Sequence, residues 1–229
     1  MPPAVLQSIQ VGCPQNYGFE GAADPHDKAW TTGFFKTHVE GPVFAGATNL
    51  AGDGQADLEN HGGIDKAVLA YSADHYPIWR EELHRPDLPH GAFGENLTIA
   101  RMSEKSVNIG DILRIGEVIF EVSQPRQPCW KLARRWRMHE LTGLVVRNGR
   151  SGWYLRVLEP GWIEAQMPVE LLERPNPEWP IARANEILHH RRTDLALTLA
   201  LADVPKLADS WVEELRERGE QLRAAMTSG

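Results

Sequence analysis

The residues best suited to chemistry lie in SQPRQPCWKL, Ser123 to Leu132, where Cys129 follows two prolines and stands between Arg126 and Lys131. Pro125 and Pro128 restrict the backbone on the approach. The flanking cations, with a helical pattern starting just beyond, favour the thiolate, the form that attacks electrophiles or binds soft metals. A lone cysteine is equally a small buried apolar residue, and the residues by themselves leave both readings open. In a second stretch, GDGQADLENHGGIDKAV from Gly52 to Val68, Gly62 and Gly63 can turn successive N–H groups toward an anion. His61 and Lys66 add a titratable donor and a positive charge, although glycine also enters such loops for turn geometry alone. In GAFGENLTI, Gly91 to Ile99, Asn96 offers a donor and an acceptor that suit either a heterocycle's edge or the local backbone. Arg150 and Arg156, in GRSGWYLRV, read as solvated charges at the start of a strand.

Short apolar or alternating runs separated by Gly, Pro, Asn and Asp would have to position these residues, and up to about Arg174 they predict a mainly β unit. The strand candidates are Val5 to Val11, Thr31 to Lys36, Val43 to Leu50, Lys66 to Tyr71, Asn96 to Ile99, Ile112 to Ile115, Val118 to Val122, Trp153 to Leu158 and Val169 to Leu172. LRIG-EVIFEV predicts a hairpin turning at Gly116 and Glu117. Two helices interrupt the strands: ADHYPIWREEL, capped by Ser72 with Pro77 near its first turn, and a single helix over Trp130 to Val146. The three prolines of RPNPEWP place a boundary after Arg174. Residues 1–174 then form the β unit, and 175–229 a small unit of three helices, Ala182 to Arg191, Asp194 to Ala202 and Pro205 to Arg223, with Asp194 and Asp203 as caps.

A chain of 229 residues with 42% hydrophobic content and 8 tryptophans can bury a sizeable core. Its net charge of -7 and lack of a basic run argue against a nucleic-acid polymer as partner. No window reaches the ~18 apolar residues a membrane span needs. The opening MPPAVLQSIQVG has no basic leader with an apolar stretch, and the two cysteines lie far apart in sequence. A cytoplasmic, reducing location is therefore expected.

GDGQADLENHGGIDKAVLAYSADHYPIW, GAFGENLTI, GDILRIGEVIFEVSQPRQPCWKL and SGWYLRVLEPG, in that order, closely resemble MOSC-domain proteins of the YiiM type, the 6-N-hydroxylaminopurine resistance family. The resemblance extends over most of Val43 to Leu172, and LADVPKLADSWVEELRER resembles the three-helix appendage of the same proteins. It implies a MOSC-type β-barrel followed by a small helical domain, and a molybdenum cofactor, a pterin carrying molybdenum, with Cys129 as the protein ligand to the metal. A soft, sulfur-rich centre suits a thiolate. Arg126 and Lys66 are then candidates for the cofactor's phosphate or pterin, Gly62, Gly63 and His61 for the same cavity, and Asn96 for a ring edge. The implied reaction is reduction of a small N-hydroxylated substrate, such as a hydroxylaminopurine, to its amine. His61 would serve as a proton source and an external protein as electron donor.

Cys13 to Trp30 departs from the pattern by its length and has no assigned role, and Cys13 reads as an incidental thiol. Two alternatives stay open: a module that carries the cofactor, or a sulfur on Cys129, without turnover, and a thiol hydrolase pairing Cys129 with a histidine. The adjacent His189 and His190 do not reproduce a zinc-ligand spacing. The C-terminal helices carry no catalytic expectation, and could support a homodimer.

Overall fold

The computed structural model describes residues 3–227, with Asn60 by its backbone alone, so the first and last two residues of the two expected units lie outside the described residues. The strands are β1 (Ala4–Val11), β2 (Gln15–Tyr17), β3 (Trp30–Thr32), β4 (Thr37–Val39), β5 (Val43–Ala45), β6 (Val68–Ser72), β7 (Leu97–Ala100), β8 (Ile112–Ile115), β9 (Val118–Pro125), β10 (Trp153–Glu159), β11 (Gly161–Ile163) and β12 (Pro168–Glu173). The helices are α1 (Leu58–His61), α2 (Tyr76–Glu82), α3 (Trp130–Trp136), α4 (Leu141–Asn148), α5 (Ile181–His189), α6 (Leu195–Ala202) and α7 (Asp209–Thr227).

Seven strands close a barrel in the order β12-β8-β9-β10-β6-β7-β1, sealed where Ala4 and Val5 of β1 meet Val169 and Pro168 of β12. Closure leaves no sheet edge at the seam. The far half of β1 takes β4 instead. The expected hairpin is present, with Ile115 opposite Val118. All pairings around the ring are antiparallel except β6 with β7, whose parallel register requires a crossover. That crossover holds a 3-10 turn capped by the Ser72 hydroxyl, then α2, then the Gly91–Asn96 loop.

Leu6, Ile9, Leu97, Ile99, Leu113, Ile115, Phe120, Val122 and Leu155 fill the core, each worth roughly 1.5–3 kcal/mol relative to exposure. β9 is buried on both faces because α5 packs over its outer side. The same continuous core takes in Ile181, Ile187, Leu188, Leu201, Leu207, Trp211 and Leu215 of the C-terminal helices. Between barrel and helices, RPNPEWP is a pinned strap: Arg174 pairs with Asp111, and the buried Asn176 amide donates to the carbonyls of Ile109 and Pro205.

Several expected elements are shorter or divided. The helix expected over Trp130 to Val146 breaks at Arg137, which adopts left-handed φ (53°) and sends its guanidinium to Asp24 and Asp27. The expected strand from Lys66 opens instead with a 3-10 turn, Ile64–Lys66. Strand pairing stops at Thr32, where the chain bends against Gly54, and at Ala45. Asp194 caps α6 as expected, accepting from Leu197 N–H, but Asp203 ends α6, and α7 starts only at Asp209. Arg150 and Arg156 are not solvated edge charges. Arg150 stacks on Trp79 and pairs with Glu82, while Arg156 bridges Asp65 and Glu121 with its side chain 15% exposed.

Candidate active site

At the barrel end where β6 and β7 begin and β9 leaves, a cavity of ≈ 600 Å³, counted out to its open mouth, is lined by Cys129, Arg126, Gln127, Lys131, His61, Lys66, Leu69, Gly94, Asn96 and Tyr154. Thr32–Gly33–Phe34, Lys36 and Gly54–Gln55–Ala56 form the opposite side. Five of the expected site residues, Cys129, His61, Lys66, Asn96 and Arg126, thus meet in one hollow. The Gly62-Gly63 pair does not line it. The Gly62 N–H is spent on Leu58 O at the end of α1, and Gly63, at φ 93°, turns the chain so that His61 and Lys66 both reach the cavity.

Cys129 is the residue preceding α3, extended at φ -107° and ψ 166°. Burial pushes its thiol up, but this is outweighed by a hydrogen bond from His61, the charge of Arg126 and the Lys131 N–H, which together bring it from 9.0 to about 7. The result is a half-buried sulfur, largely anionic above neutral pH, facing a hollow. His61 Nδ1 lies 3.4 Å from Asp57 Oδ2, near enough for charge but not aligned as a hydrogen bond.

Arg126 is 3% exposed. Its Nη2 donates to Phe93 O at 3.1 Å, while Nη1 is buried with no hydrogen-bond partner, and among the described residues no carboxylate pairs with it. A buried guanidinium left with an unspent donor is unfavourable unless a ligand completes it. Asn96, by contrast, is committed to the backbone: its Oδ1 accepts from Leu69 N–H and its Nδ2 donates to Gln10 O, clasping β1, β6 and β7 together.

Sequence reasoning missed Lys36 and Asp53, a buried ion pair at the cavity wall in which burial lowers the lysine and Asp53 opposes that shift. Residues 36 and 53 belong to different loops, and no local pattern links them. Also missed was the reach of the helical unit, where Glu214 of α7 accepts from Gln127 beside the thiol. The unassigned Cys13 to Trp30 segment docks on α3: Arg134 donates to the carbonyls of His26 and Lys28 and stacks on Trp30 and Trp130. Cys13 is exposed and free.

A closed β-barrel with a thiol-bearing cavity at one end, covered by C-terminal helices, defines the class of protein. Comparison with known families gives the same answer: a MOSC domain matches residues 57–170 and a YiiM-like, 3-alpha helix domain matches 179–221. The chain is 40% identical to Uncharacterized protein YflK of Bacillus subtilis over 94% of both chains, and 31% identical to Protein YiiM of Escherichia coli, covering 87% of this chain and 90% of that one. It is 40% identical to a protein named Reductase from Gibberella moniliformis, matching 85% of this chain but only 34% of that longer one. The crystal structure of YiiM from Geobacillus stearothermophilus superposes with a TM-score of 0.78 at 36% identity, covering 94% of this chain and 99% of that one. The chain belongs to the MOSC-domain family, in its YiiM-type branch.

Proposed function

We propose that this chain holds a molybdenum cofactor at Cys129 and reduces small N-hydroxylated compounds, N-hydroxylated bases among them, to amines. The observation that carries the reading is the meeting, in one cavity, of a thiol whose ionisation is drawn down to about 7 and a buried guanidinium with no carboxylate partner among the described residues. MOSC domains are associated with molybdenum cofactor binding, and the residues fit such a group. A metal that brings its own sulfur ligands needs only one further soft side chain, which Cys129 offers. Among the described residues no three His, Cys, Asp or Glu side chains converge to cage a metal that arrives without them.

Arg126 Nη1, Lys66 and Lys131 suit a phosphate and the pterin's acceptor atoms. Asn96 holds the cavity floor. The bound cofactor would supply two-electron, oxygen-accepting chemistry. Overall, the N–O bond breaks, nitrogen gains a hydrogen and the oxygen leaves as water, consuming two electrons and two protons. His61, which reaches both the sulfur and the cavity and is 30% exposed, can hold a proton at the site and regain it from solvent. Electrons must come from another protein. The relative named Reductase, about three times as long as the segment matched, supports a reductive role.

The test is to make the protein in cofactor-competent and cofactor-deficient hosts, measure molybdenum and pterin fluorescence, and assay a hydroxylamine with a chemical reductant. Metal-dependent turnover that Cys129→Ser abolishes is expected. Full activity without metal overturns the reading, and metal binding without turnover converts it to a carrier.

A further inference from the structure

Two buried carboxylates that do not line the cavity converge on Arg126 through the backbone. Glu95 is fully buried. Its Oε1 accepts from the Tyr76 hydroxyl, from Gly91 N–H at 2.7 Å and from the Thr98 hydroxyl at 3.1 Å, and its Oε2 accepts from Phe93 N–H at 3.1 Å. Phe93 is also fixed by its ring, stacked on Tyr71 at 4.6 Å, and its carbonyl receives the Arg126 guanidinium. On the other side, Glu104 Oε1 accepts from Gly152 N–H at 2.7 Å while Oε2 meets His75 Nε2 at 2.7 Å. Gly152 O then accepts the backbone N–H of Arg126 at 3.1 Å. Position 152 must be glycine: φ is +79°, and a Cβ would stand 2.5 Å from Ala70 O.

We propose that Glu95 and Glu104 are positioning residues for Arg126, Glu95 fixing the carbonyl that holds its guanidinium and Glu104 the carbonyl that holds its backbone. Each chain of contacts is one carboxylate, one residue, whose N–H meets the carboxylate and whose C=O meets the arginine, and one arginine group long. A shift of either peptide therefore moves the charge relative to Cys129, and a buried charge–charge interaction changes steeply with distance. Neither carboxylate forms an ion pair with Arg126, so both orient it without neutralising it. This holds for the cofactor-free protein and does not depend on which metal, if any, Cys129 binds.

The experiment reads iodoacetamide labelling of Cys129 against pH in cofactor-free protein, on a Cys13→Ser background so that only one thiol reports. The groups around that thiol are His61, Arg126, Lys66, Lys131 and Tyr154. Arg126→Met should raise the labelling inflection by roughly half a unit or more. Glu95→Gln and Glu104→Gln each delete a negative charge, which acting through space alone would lower the inflection. If they position Arg126, the inflection instead rises in each, and the rise disappears when either is combined with Arg126→Met. An unchanged or lowered inflection in both folded variants overturns the proposal. Should Glu95→Gln not fold, Glu95→Asp keeps the charge but cannot span both loop amides. The same rise is expected there, and its absence counts against the proposal equally.

Discussion

The two walls that carry the site residues differ in how they are held. Arg126 and Cys129 follow a strand buried along its whole length, and beneath them lies a cluster of buried Tyr71, Tyr76, Trp79 and Phe93. His61 and Lys66 ride on a four-residue helix and a 3-10 turn whose apolar side chains, Leu58 and Ile64, face solvent. This second wall is tethered through Asp65, whose carboxylate meets Arg156 and whose carbonyl accepts from Ser123. Packing fixes the wall that must present a charge at a set place. The wall that carries His61 and Lys66 has little apolar burial, and so should open locally at low free energy.

The largest effects should come from the packed wall. On the proposed function, Cys129→Ser replaces a soft ligand by a hard, neutral hydroxyl, and molybdenum retention and reductase activity should each fall about 100-fold or more, read by metal analysis and turnover. Retention at the parental level would remove the thiol from the site. Arg126→Met should separate binding from stability. Losing a charge-assisted hydrogen bond of roughly 1.5–3 kcal/mol lowers cofactor retention by about tenfold or more. The cofactor-free protein should be no less stable by thermal melting, because the variant also removes a buried unsatisfied donor. A melting temperature that falls together with retention would make Arg126 a structural residue.

The same contrast explains what the sequence could reveal. The hairpin at Gly116, the Ser72 and Asp194 caps and the β9 loop with Cys129 are local features, set by turn chemistry, capping and short-range periodicity. They were legible. The ring closure of β1 on β12, the Arg126–Phe93 and Gly152–Glu104 links, the Lys36–Asp53 pair and the Glu214 contact to Gln127 join segments 17 to 165 residues apart, and no periodicity encodes such meetings. Arg156 was misread for a related reason. A cation at a strand edge is usually solvated, and only the 3-10 turn and the helical unit, brought together, supply its partners Asp65 and Lys206 O.

A moderate effect should follow from loosening the tether of the second wall. Arg156→Ala leaves Asp65 without its guanidinium, while Glu121 keeps Lys206 at 3.2 Å. A loss of about 1–3 kcal/mol in urea unfolding is expected, with faster amide exchange concentrated in residues 58–66. Exchange that quickens equally around Cys129 would mean the walls open as one body, and the contrast between them would not hold.

The smallest expected effect is the most diagnostic. His61→Ala removes from Cys129 the hydrogen bond that leads the influences holding its thiol at about 7, while burial and Arg126 stay in place. The sign follows directly: with less stabilisation of the anion, the thiol inflection rises, by roughly one unit. At pH 7 the thiolate fraction then drops from about one half to about one tenth, but a more basic thiolate is intrinsically the better nucleophile, by about threefold per unit. Labelling of Cys129 by iodoacetamide should therefore slow about twofold at pH 7 and reach a plateau about threefold higher at alkaline pH, so that the variant and parent curves cross. Curves that merely scale without crossing would mean that His61 controls access to the sulfur rather than its charge, and the second wall would then act as a gate and not as a proton-bearing partner of the first.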